Sequence, residues 1–215
     1  MLVKDRMTPN PVTITPTTSF PQAFQIIREK RIRHLPVVDR KGRLKGIVAL
    51  TDLMKASPSQ ATTLSVFEMN YLLANLHVQE VMTSPPITVP EDAPLEEAAR
   101  IMVENKIGCL PVMRDGKLQG LITETDIFET FVEILGGEEA SLRVTVRVRD
   151  VGGELARLSG LIAGMGGNIA SVARFRGEDP AHCYITFRLK GVEEEVLIPA
   201  LRASVEEVVH VCCAG

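Results

Sequence analysis

The chain has 215 residues, of which 45% are apolar and 24% charged, and its mean hydropathy is +0.12. These values exclude a collagen, a disordered tail and a miniprotein, and they fit one large or two small globular domains. No run approaches the roughly 18 consecutive apolar residues of a membrane span, and the charged start does not fit a signal peptide. We therefore expect a cytoplasmic protein with no membrane partner. A net charge of −3 also disfavours nucleic acid as a partner.

An internal repeat organises the first part of the chain. Met7-Thr8 returns as Met82-Thr83, an offset of 75 residues, and Gly46 returns as Gly120 after one deletion. Further matches at these offsets are Pro11-Val12-Thr13-Ile14 with Pro86-Ile87-Thr88-Val89, Leu35-Pro36-Val37 with Leu110-Pro111-Val112, and Thr51-Asp52 with Thr125-Asp126.

Each copy predicts the order strand, helix, strand, strand, helix. Apolar residues recur at i, i+3, i+4 and i+7 from Phe20 to Ile27 and from Leu95 to Met102, which indicates one helix in each copy. Two short apolar strands joined by a turn follow, and a second helix begins near Asp52 or Asp126. A unit of about 50 residues is too small to bury its sheet alone, so the two copies should pack as a pair.

Between the copies, Ser57-Pro58-Ser59 interrupts the chain, and Leu64, Phe67, Tyr71 and Leu72 have helical spacing. We interpret this stretch as a connecting helix. The predicted organisation is a first repeat at residues 1–56, a linker helix at 57–77, a second repeat at 78–135 and a separate domain at 140–215.

The C-terminal domain is predicted to have the order βαββαβ. The repeat ends at Gly136-Gly137, and the alternating segment from Leu142 to Val148 indicates a half-buried strand. The later segments are a helix with Leu155, Leu158 and Ile162, strands at 169–175 and 183–189, a helix with Val196, Leu197 and Leu201, and a strand at 208–211. The fold class is therefore α+β, with a ferredoxin-like arrangement in this domain.

The repeat resembles a tandem pair of cystathionine-β-synthase (CBS) domains, also called a Bateman module. The resemblance depends on the Met-Thr entry, the Pro-x-Thr strand, the apolar-Pro-Val strand and a Gly-x-x-Thr-x-x-Asp segment at residues 120–126. That segment places a hydroxyl and a carboxylate at a strand-to-helix turn, where free backbone N–H groups favour an anion. An adenine nucleotide suits this chemistry, because a carboxylate accepts ribose hydroxyls and apolar strand edges enclose a base.

The resemblance implies an adenine-nucleotide or S-adenosylmethionine site in each copy. In the second copy it places Asp126 on ribose, Thr123 near phosphate, and Thr88 with Leu110, Pro111 and Val112 around adenine. In the first copy the candidate site residues are Thr13, Arg33, His34, Pro36 and Asp52. The alternative is that the Thr-Asp pairs only cap helices. We favour ligand binding over capping alone in the second copy, because the motif is repeated and matches the family. The first copy departs from the motif, since Ala49 stands where it requires threonine.

The first copy contains a cluster of basic residues that the second copy lacks. From Arg28 to Lys45 it carries eight lysines and arginines against Glu29 and Asp39. Such a cluster could neutralise a di- or triphosphate, or it could be a solvated helix end and turn. Arg33 and His34 have Gly108-Cys109 as their counterparts, so the two sites are expected to differ in ligand or affinity.

The C-terminal domain resembles an ACT domain in its segments Asp150-Val151-Gly152-Gly153-Glu154-Leu155 and Gly167-Asn168-Ile169. The resemblance implies pairing through the sheet and an amino-acid site at Asp150 and Gly153 facing Asn168. Gly152 stands where that family commonly has proline, and an empty dimerisation domain is the alternative. A CBS pair followed by an ACT domain resembles the acetoin utilization (AcuB) family, whose members are regulatory.

No catalytic motif is present, and none of the four histidines has a carboxylate or thiol at motif spacing, so we predict no catalytic residue, enzyme activity or metal. The four cysteines are expected to be reduced thiols. The main hypothesis is an allosteric regulator, homodimeric, with no required cofactor, that binds an adenine nucleotide or S-adenosylmethionine and relays this to an unknown protein target. The other hypotheses are an amino-acid sensor working through Asp150, a ligand-free interaction module and, last, a nucleotide hydrolase.

Overall fold

A computed structural model describes residues 1–57, 65–136 and 140–214, which form two compact units, Met1–Ile127 and Phe128–Gly215. The boundary falls within one helix, Glu124–Ile134. Three predicted features lie outside the described residues: the chain break at Pro58-Ser59, Leu64 of the linker helix, and Gly137 at the end of the repeat.

The first unit contains the predicted repeat of elements, with strands β1–β6 and helices α1–α5. Its elements are β1 (Thr8–Pro9), α1 (Phe20–Lys30), β2 (His34–Val38), β3 (Leu44–Ala49), α2 (Leu50–Ala56), α3 (Val66–Asn75), β4 (Val89–Pro90), α4 (Leu95–Asn105), β5 (Cys109–Arg114), β6 (Lys117–Thr123) and the start of α5 (Glu124–Ile134). Helix formation follows the predicted periodicity, since Phe20, Ala23 and Ile27 of α1 and Leu95, Ala98 and Met102 of α4 are buried.

The two copies exchange their first segments. Thr8 and Pro9 pair with Leu121 and Gly120 of the second copy, so β1 completes the sheet β1-β6-β5-β4. Reciprocally, Thr83 of the second copy pairs with Ile47 on β3, and their backbone hydrogen bonds are 2.9 and 3.1 Å long. We call Met7-Thr8 and Met82-Thr83 the arms. Each spatial half of the unit therefore contains the arm of the other sequence repeat.

Glycine at two matching strand positions makes this exchange possible. A Cβ atom placed on Gly46 would lie 2.5 Å from Sδ of Met82 and 2.9 Å from the carbonyl oxygen of Thr83. A Cβ atom on Gly120 would lie 2.6 Å from Sδ of Met7 and 2.8 Å from the carbonyl oxygen of Thr8. Real side chains do not approach this closely, so only glycine lets the arm lie against the strand.

The buried residues follow the same exchange. Val78 belongs to the apolar core around Leu35, Val37 and Leu53 of the first copy, and Val3 belongs to the core around the second copy. Both valines are fully buried. Burial of apolar area is the main favourable term in folding, so each half depends on residues contributed by the other repeat.

The predicted linker helix is present as α3, but its apolar residues divide between two faces. Leu73 packs against the core of the first half, whereas Phe67 is 88% and Tyr71 is 71% exposed. The spacing predicts that Phe67, Tyr71 and Leu72 share a face, and all three are exposed. Leu73, which is not part of that predicted set, is the residue that meets the core.

The second unit has the predicted βαββαβ order. After the end of α5 it contains β7 (Ser141–Arg149), α6 (Glu154–Gly164), β8 (Asn168–Arg176), β9 (His182–Lys190), α7 (Glu194–Arg202) and β10 (Glu207–Ala214). The strands form an antiparallel sheet in the order β10-β7-β9-β8, the ferredoxin-like arrangement. Alternate residues of β7 and β9, including Val144, Val146, Ile185 and Phe187, form its core with α6 and α7.

The molecule is thus of mixed α+β class. Within the described ranges, no helix has the length and apolar character that crossing a bilayer requires. The same ranges contain no group of three or more histidines, cysteines or acidic residues placed to hold a metal ion.

The close approach of the arms predicts that Gly46→Ala and Gly120→Ala each lower the free energy of unfolding by about 1–3 kcal/mol, the usual effect of overpacking. Urea unfolding followed by circular dichroism measures this difference. Gly160→Ala is the matched control, because a Cβ atom there meets nothing within 4 Å and alanine favours the helix α6. Equal stability of Gly46→Ala and wild type would contradict the proposed role of the glycine.

Candidate functional site

The predicted polar residues lie where a strand turns into a helix, once in each half. The amide of Leu50, which begins α2, donates to the carbonyl of Arg33 at 2.8 Å, and the amide of Glu124, which begins α5, donates to the carbonyl of Gly108 at 3.1 Å. The two turns are therefore equivalent in backbone structure. Differences between the candidate sites come from their side chains.

At the second turn, Thr123 and Asp126 bond to each other. Oδ2 of Asp126 accepts hydrogen bonds from the amide and the hydroxyl of Thr123, both 2.7 Å long, and the amide of Asp126 donates to that hydroxyl oxygen at 3.4 Å. This reciprocal arrangement is a capping box. The Thr123 hydroxyl, predicted to lie near phosphate, thus donates its proton within the protein.

At the first turn, Asp52 accepts fewer hydrogen bonds from its own turn than Asp126 does. Its Oδ2 accepts from the amide of Ala49 at 2.9 Å, and Ala49 has no hydroxyl to add a second bond. Within the described residues, Oδ1 of Asp52 accepts no hydrogen bond. The side chain is half-buried, so a carboxylate oxygen is available to a ligand at the edge of the protein.

A cavity of about 280 Å³ lies beside Asp52. One wall comes from the first half and the opposite wall from the turn between α4 and β5 of the second half. The lining residues are His34, Ile47, Ala49, Thr51, Asp52, Lys55, Thr83, Ile87, Lys106, Ile107, Gly108 and Cys109. The cavity therefore combines a carboxylate, two hydroxyls, two ammonium groups, an imidazole and apolar side chains.

The charges of this cavity suit an anionic ligand. Neither Lys55 nor Lys106 forms an ion pair with another residue in the part of the chain that the structure describes. Burial lowers the pKa of His34 below its ordinary value of 6.5, and the nearby Arg33 charge lowers it further, although Asp52 and Glu124 act in the opposite direction. Burial, with a contribution from the Asp126 charge, raises the pKa of the Cys109 thiol to about 12. Cys109 is thus a neutral wall residue.

The remaining residues predicted to bind nucleotide are distributed as follows. Arg33 extends to the second turn, where its guanidinium donates to Oγ1 of Thr125 at 3.0 Å. Thr13 and Thr88 are exposed. Four residues of the apolar-Pro-Val strands are buried inside the sheets, namely Pro36, Leu110, Pro111 and Val112. Leu110 and Val112 are core residues of the second half.

Sequence reasoning did not single out Lys55, Lys106 or Ile87. Lys55 lies one helical turn after Thr51, so the helix beginning at Leu50 could have indicated it. Lys106 ends α4 in the left-handed conformation, with φ +55°, and is brought opposite Asp52 only by the packing of the two halves. No local sequence signal indicates that placement.

The amino-acid site predicted in the C-terminal unit is not assembled as expected. Asp150 follows Arg149, which pairs with His182, whereas Asn168 pairs with Lys190 at the other end of β9. Eight residues of strand separate these ends, roughly 26 Å. Asp150 instead forms a 2.5 Å ion pair with Arg174. Gly153, with φ +92°, precedes α6 in a left-handed conformation that glycine readily adopts.

Comparison with known proteins identifies relatives of the first unit. The model of the CBS domain family matches residues 3–59 and 78–133. A Vibrio cholerae protein described as an acetoin utilization protein (AcuB) is 33% identical, with a TM-score of 0.53 over 63% of this chain and 93% of that chain.

Two similar structures are described as complexes with adenosine compounds. CBSX2 of Arabidopsis thaliana, in complex with AMP, is 32% identical, with a TM-score of 0.52 over 62% of this chain and 97% of that chain. The CBS domain pair of protein MJ0100, in complex with 5′-methylthioadenosine and S-adenosyl-L-methionine, is 31% identical, with a TM-score of 0.52 over 65% of this chain and 98% of that chain.

The lowered pKa of His34 predicts a loss of stability in acid. The unfolded chain binds the proton more readily than the folded chain, so the free energy of unfolding falls as the pH drops from about 6.5 through the folded pKa. His34→Gln should lose less stability than wild type between about pH 7 and pH 5. Urea unfolding at the two pH values measures the difference. Equal losses in both proteins would contradict the prediction.

Proposed function

The chain belongs to the CBS domain family, and we propose that it is a regulatory sensor that binds an adenine nucleotide or S-adenosylmethionine between the two halves of its first unit. The observation that carries the proposal is the cavity of about 280 Å³ beside Asp52. Its volume is near the lower end of the range for small-molecule sites, about 300 Å³, and fits one nucleoside-sized ligand.

Different residues around the cavity can bind different parts of the ligand. Oδ1 of Asp52 accepts ribose hydroxyls, since Oδ2 already holds the amide of Ala49. Lys55 and Lys106 attract a phosphate group or the carboxylate of S-adenosylmethionine. Ile47 and Ile87 provide the apolar surfaces for a base. The AMP and S-adenosylmethionine complexes of CBSX2 and the MJ0100 domain pair support this ligand class.

The sensing step is a difference in ligand affinity between two arrangements of the halves. A ligand that contacts Asp52 on one wall and Lys106 on the other favours the arrangement in which these walls lie at the right separation. We propose that a protein target recognises this arrangement. The similarity to the AcuB protein supports a target in acetoin or related carbon metabolism.

For the C-terminal unit we propose a role in homodimer formation. Its strand β8 lies at an edge of the sheet and exposes Val172 and Phe175. An exposed edge strand offers unpaired backbone groups to a second copy of the same strand. The ACT resemblance agrees with this role, whereas the separation of Asp150 from Asn168 argues against amino-acid sensing at those residues.

Ligand binding predicts a higher midpoint of thermal unfolding with AMP or S-adenosylmethionine. A ligand at 100 times its Kd stabilises the folded state by about 2.7 kcal/mol. Asp52→Asn should abolish the shift, because the amide oxygen still caps Ala49 but the negative carboxylate is lost. Asp5→Asn, which changes a similar cap on the amide of Leu2, is the control and should keep the shift.

Two other results would each replace the proposal. A shift with amino acids alone would move sensing to the C-terminal unit. No shift with any of these compounds would favour a ligand-free interaction module.

The proposed dimer is tested by Val172→Lys. A lysine on the edge strand opposes pairing, so sedimentation should change from dimer to monomer. Val209→Lys is the matched control, since both valines are 43% exposed and Val209 lies on the opposite edge strand, β10. Loss of the dimer only in the Val209 variant would indicate pairing through the other edge.

A further inference from the structure

The two candidate sites of the first unit are related by the repeat, and one difference between them is the residue at position 33 or 108. Arg33, which directly precedes β2, corresponds to Gly108, which directly precedes β5. Thr125 corresponds to Thr51, and both lie in the first turn of a helix. The carbonyls of Arg33 and Gly108 accept equivalent hydrogen bonds from the helix starts, so the backbones are alike and the side chains differ.

At the second turn, the side chain of Arg33 crosses from the first half to the second. Its guanidinium donates to Oγ1 of Thr125 at 3.0 Å, next to the carboxylate that the family resemblance places on ribose. Arg33 and Asp126 also act on the same buried thiol, since their charges shift the pKa of Cys109 in opposite directions. A cationic side chain therefore lies where a ligand between Asp126 and the first half would have to enter.

At the first turn, the residue that corresponds to Arg33 is Gly108, which has no side chain. Gly108 lines the cavity together with Thr51 and Asp52, and no group from the second half reaches the hydroxyl of Thr51 within the described residues. An arginine at position 108 would cross this space as Arg33 crosses the other. Such an arginine would occupy part of the cavity beside Asp52, which Gly108 lines.

We propose that Arg33 and Gly108 determine which of the two sites binds ligand: Arg33 closes the Asp126 site, Gly108 keeps the Asp52 site open, and each chain binds one nucleotide. The inference depends on the proposed function, because it assigns the adenosine ligand to one of the two sites. It reverses the expectation from the sequence motif, which favours the Asp126 site.

The test is isothermal titration of the full chain with AMP and, separately, with S-adenosylmethionine. Wild type should bind one molecule per chain, Asp52→Asn should bind none, and Asp126→Asn should still bind one. Arg33→Ala should raise the number of sites from one to two. Arg40→Ala, which removes an exposed arginine from the turn between β2 and β3, is the control and should leave one site.

The reciprocal variant is Gly108→Arg, which should lower the number of sites from one to zero. The added Cβ atom would lie 3.2 Å from Cδ of Glu124, whose exposed side chain can move away. Thermal unfolding without ligand shows whether this variant folds. If it does not, the count of sites in Arg33→Ala decides the question alone.

The outcomes separate the two proposals. Two sites in wild type, or weaker binding at an unchanged number of sites in Arg33→Ala, would overturn the inference while leaving the nucleotide sensor intact. Binding to wild type that Asp126→Asn abolishes and Asp52→Asn does not would overturn it as well. No binding of either compound to wild type or Arg33→Ala would overturn the proposed function and the inference with it.

Discussion

The structure of the first unit depends on the contact between each arm and a glycine of the opposite repeat. At Gly46 and Gly120, a methionine and a threonine carbonyl occupy the volume that any other residue would need for its Cβ atom. The arm then adds an outer strand to the sheet and brings Val3 or Val78 into a core that the local sequence does not complete. The sheet order and the burial of the first unit follow from this packing, which neither repeat can form alone.

The two strand-to-helix turns of the first unit have the same backbone hydrogen bonds but carry different side chains. The starts of α2 and α5 are held alike, because their first amides donate to the carbonyls of Arg33 and Gly108 at equivalent positions. Asp52 and Asp126 both cap a helix, and they differ in the additional hydrogen bond that Oδ2 of Asp126 accepts from the Thr123 hydroxyl and in the residues opposite. A helix cap and a ligand contact are therefore compatible uses of one side chain.

Most of the fold could be predicted from the sequence, because its elements have clear periodicity. The helix from Phe20 to Lys30 and the βαββαβ order of the second unit follow from local spacing. The exchange could not be predicted, since both repeats carry the same Met-Thr arm and local patterns do not say which copy it pairs with. For the site, the repeat predicts Asp52, but the opposite wall of its cavity contains Lys106 and Gly108, which are distant in sequence. The separation of Asp150 and Asn168 follows from strand direction: β7 and β8 both pair antiparallel with β9, so the end of β7 and the start of β8 lie at opposite ends of the sheet.

Strand exchange also suggests how such a chain could have arisen. Two identical chains, each with a single repeat, could form both halves by exchanging their arms, as in a domain-swapped dimer. Joining the two genes end to end would require only a connector between Ala56 and Val78, and every contact in the pair would be kept. Once the copies were fused, each position could change in one half without changing in the other. A symmetric ancestor would necessarily have had two equal clefts, and fusion is the step that allows them to diverge.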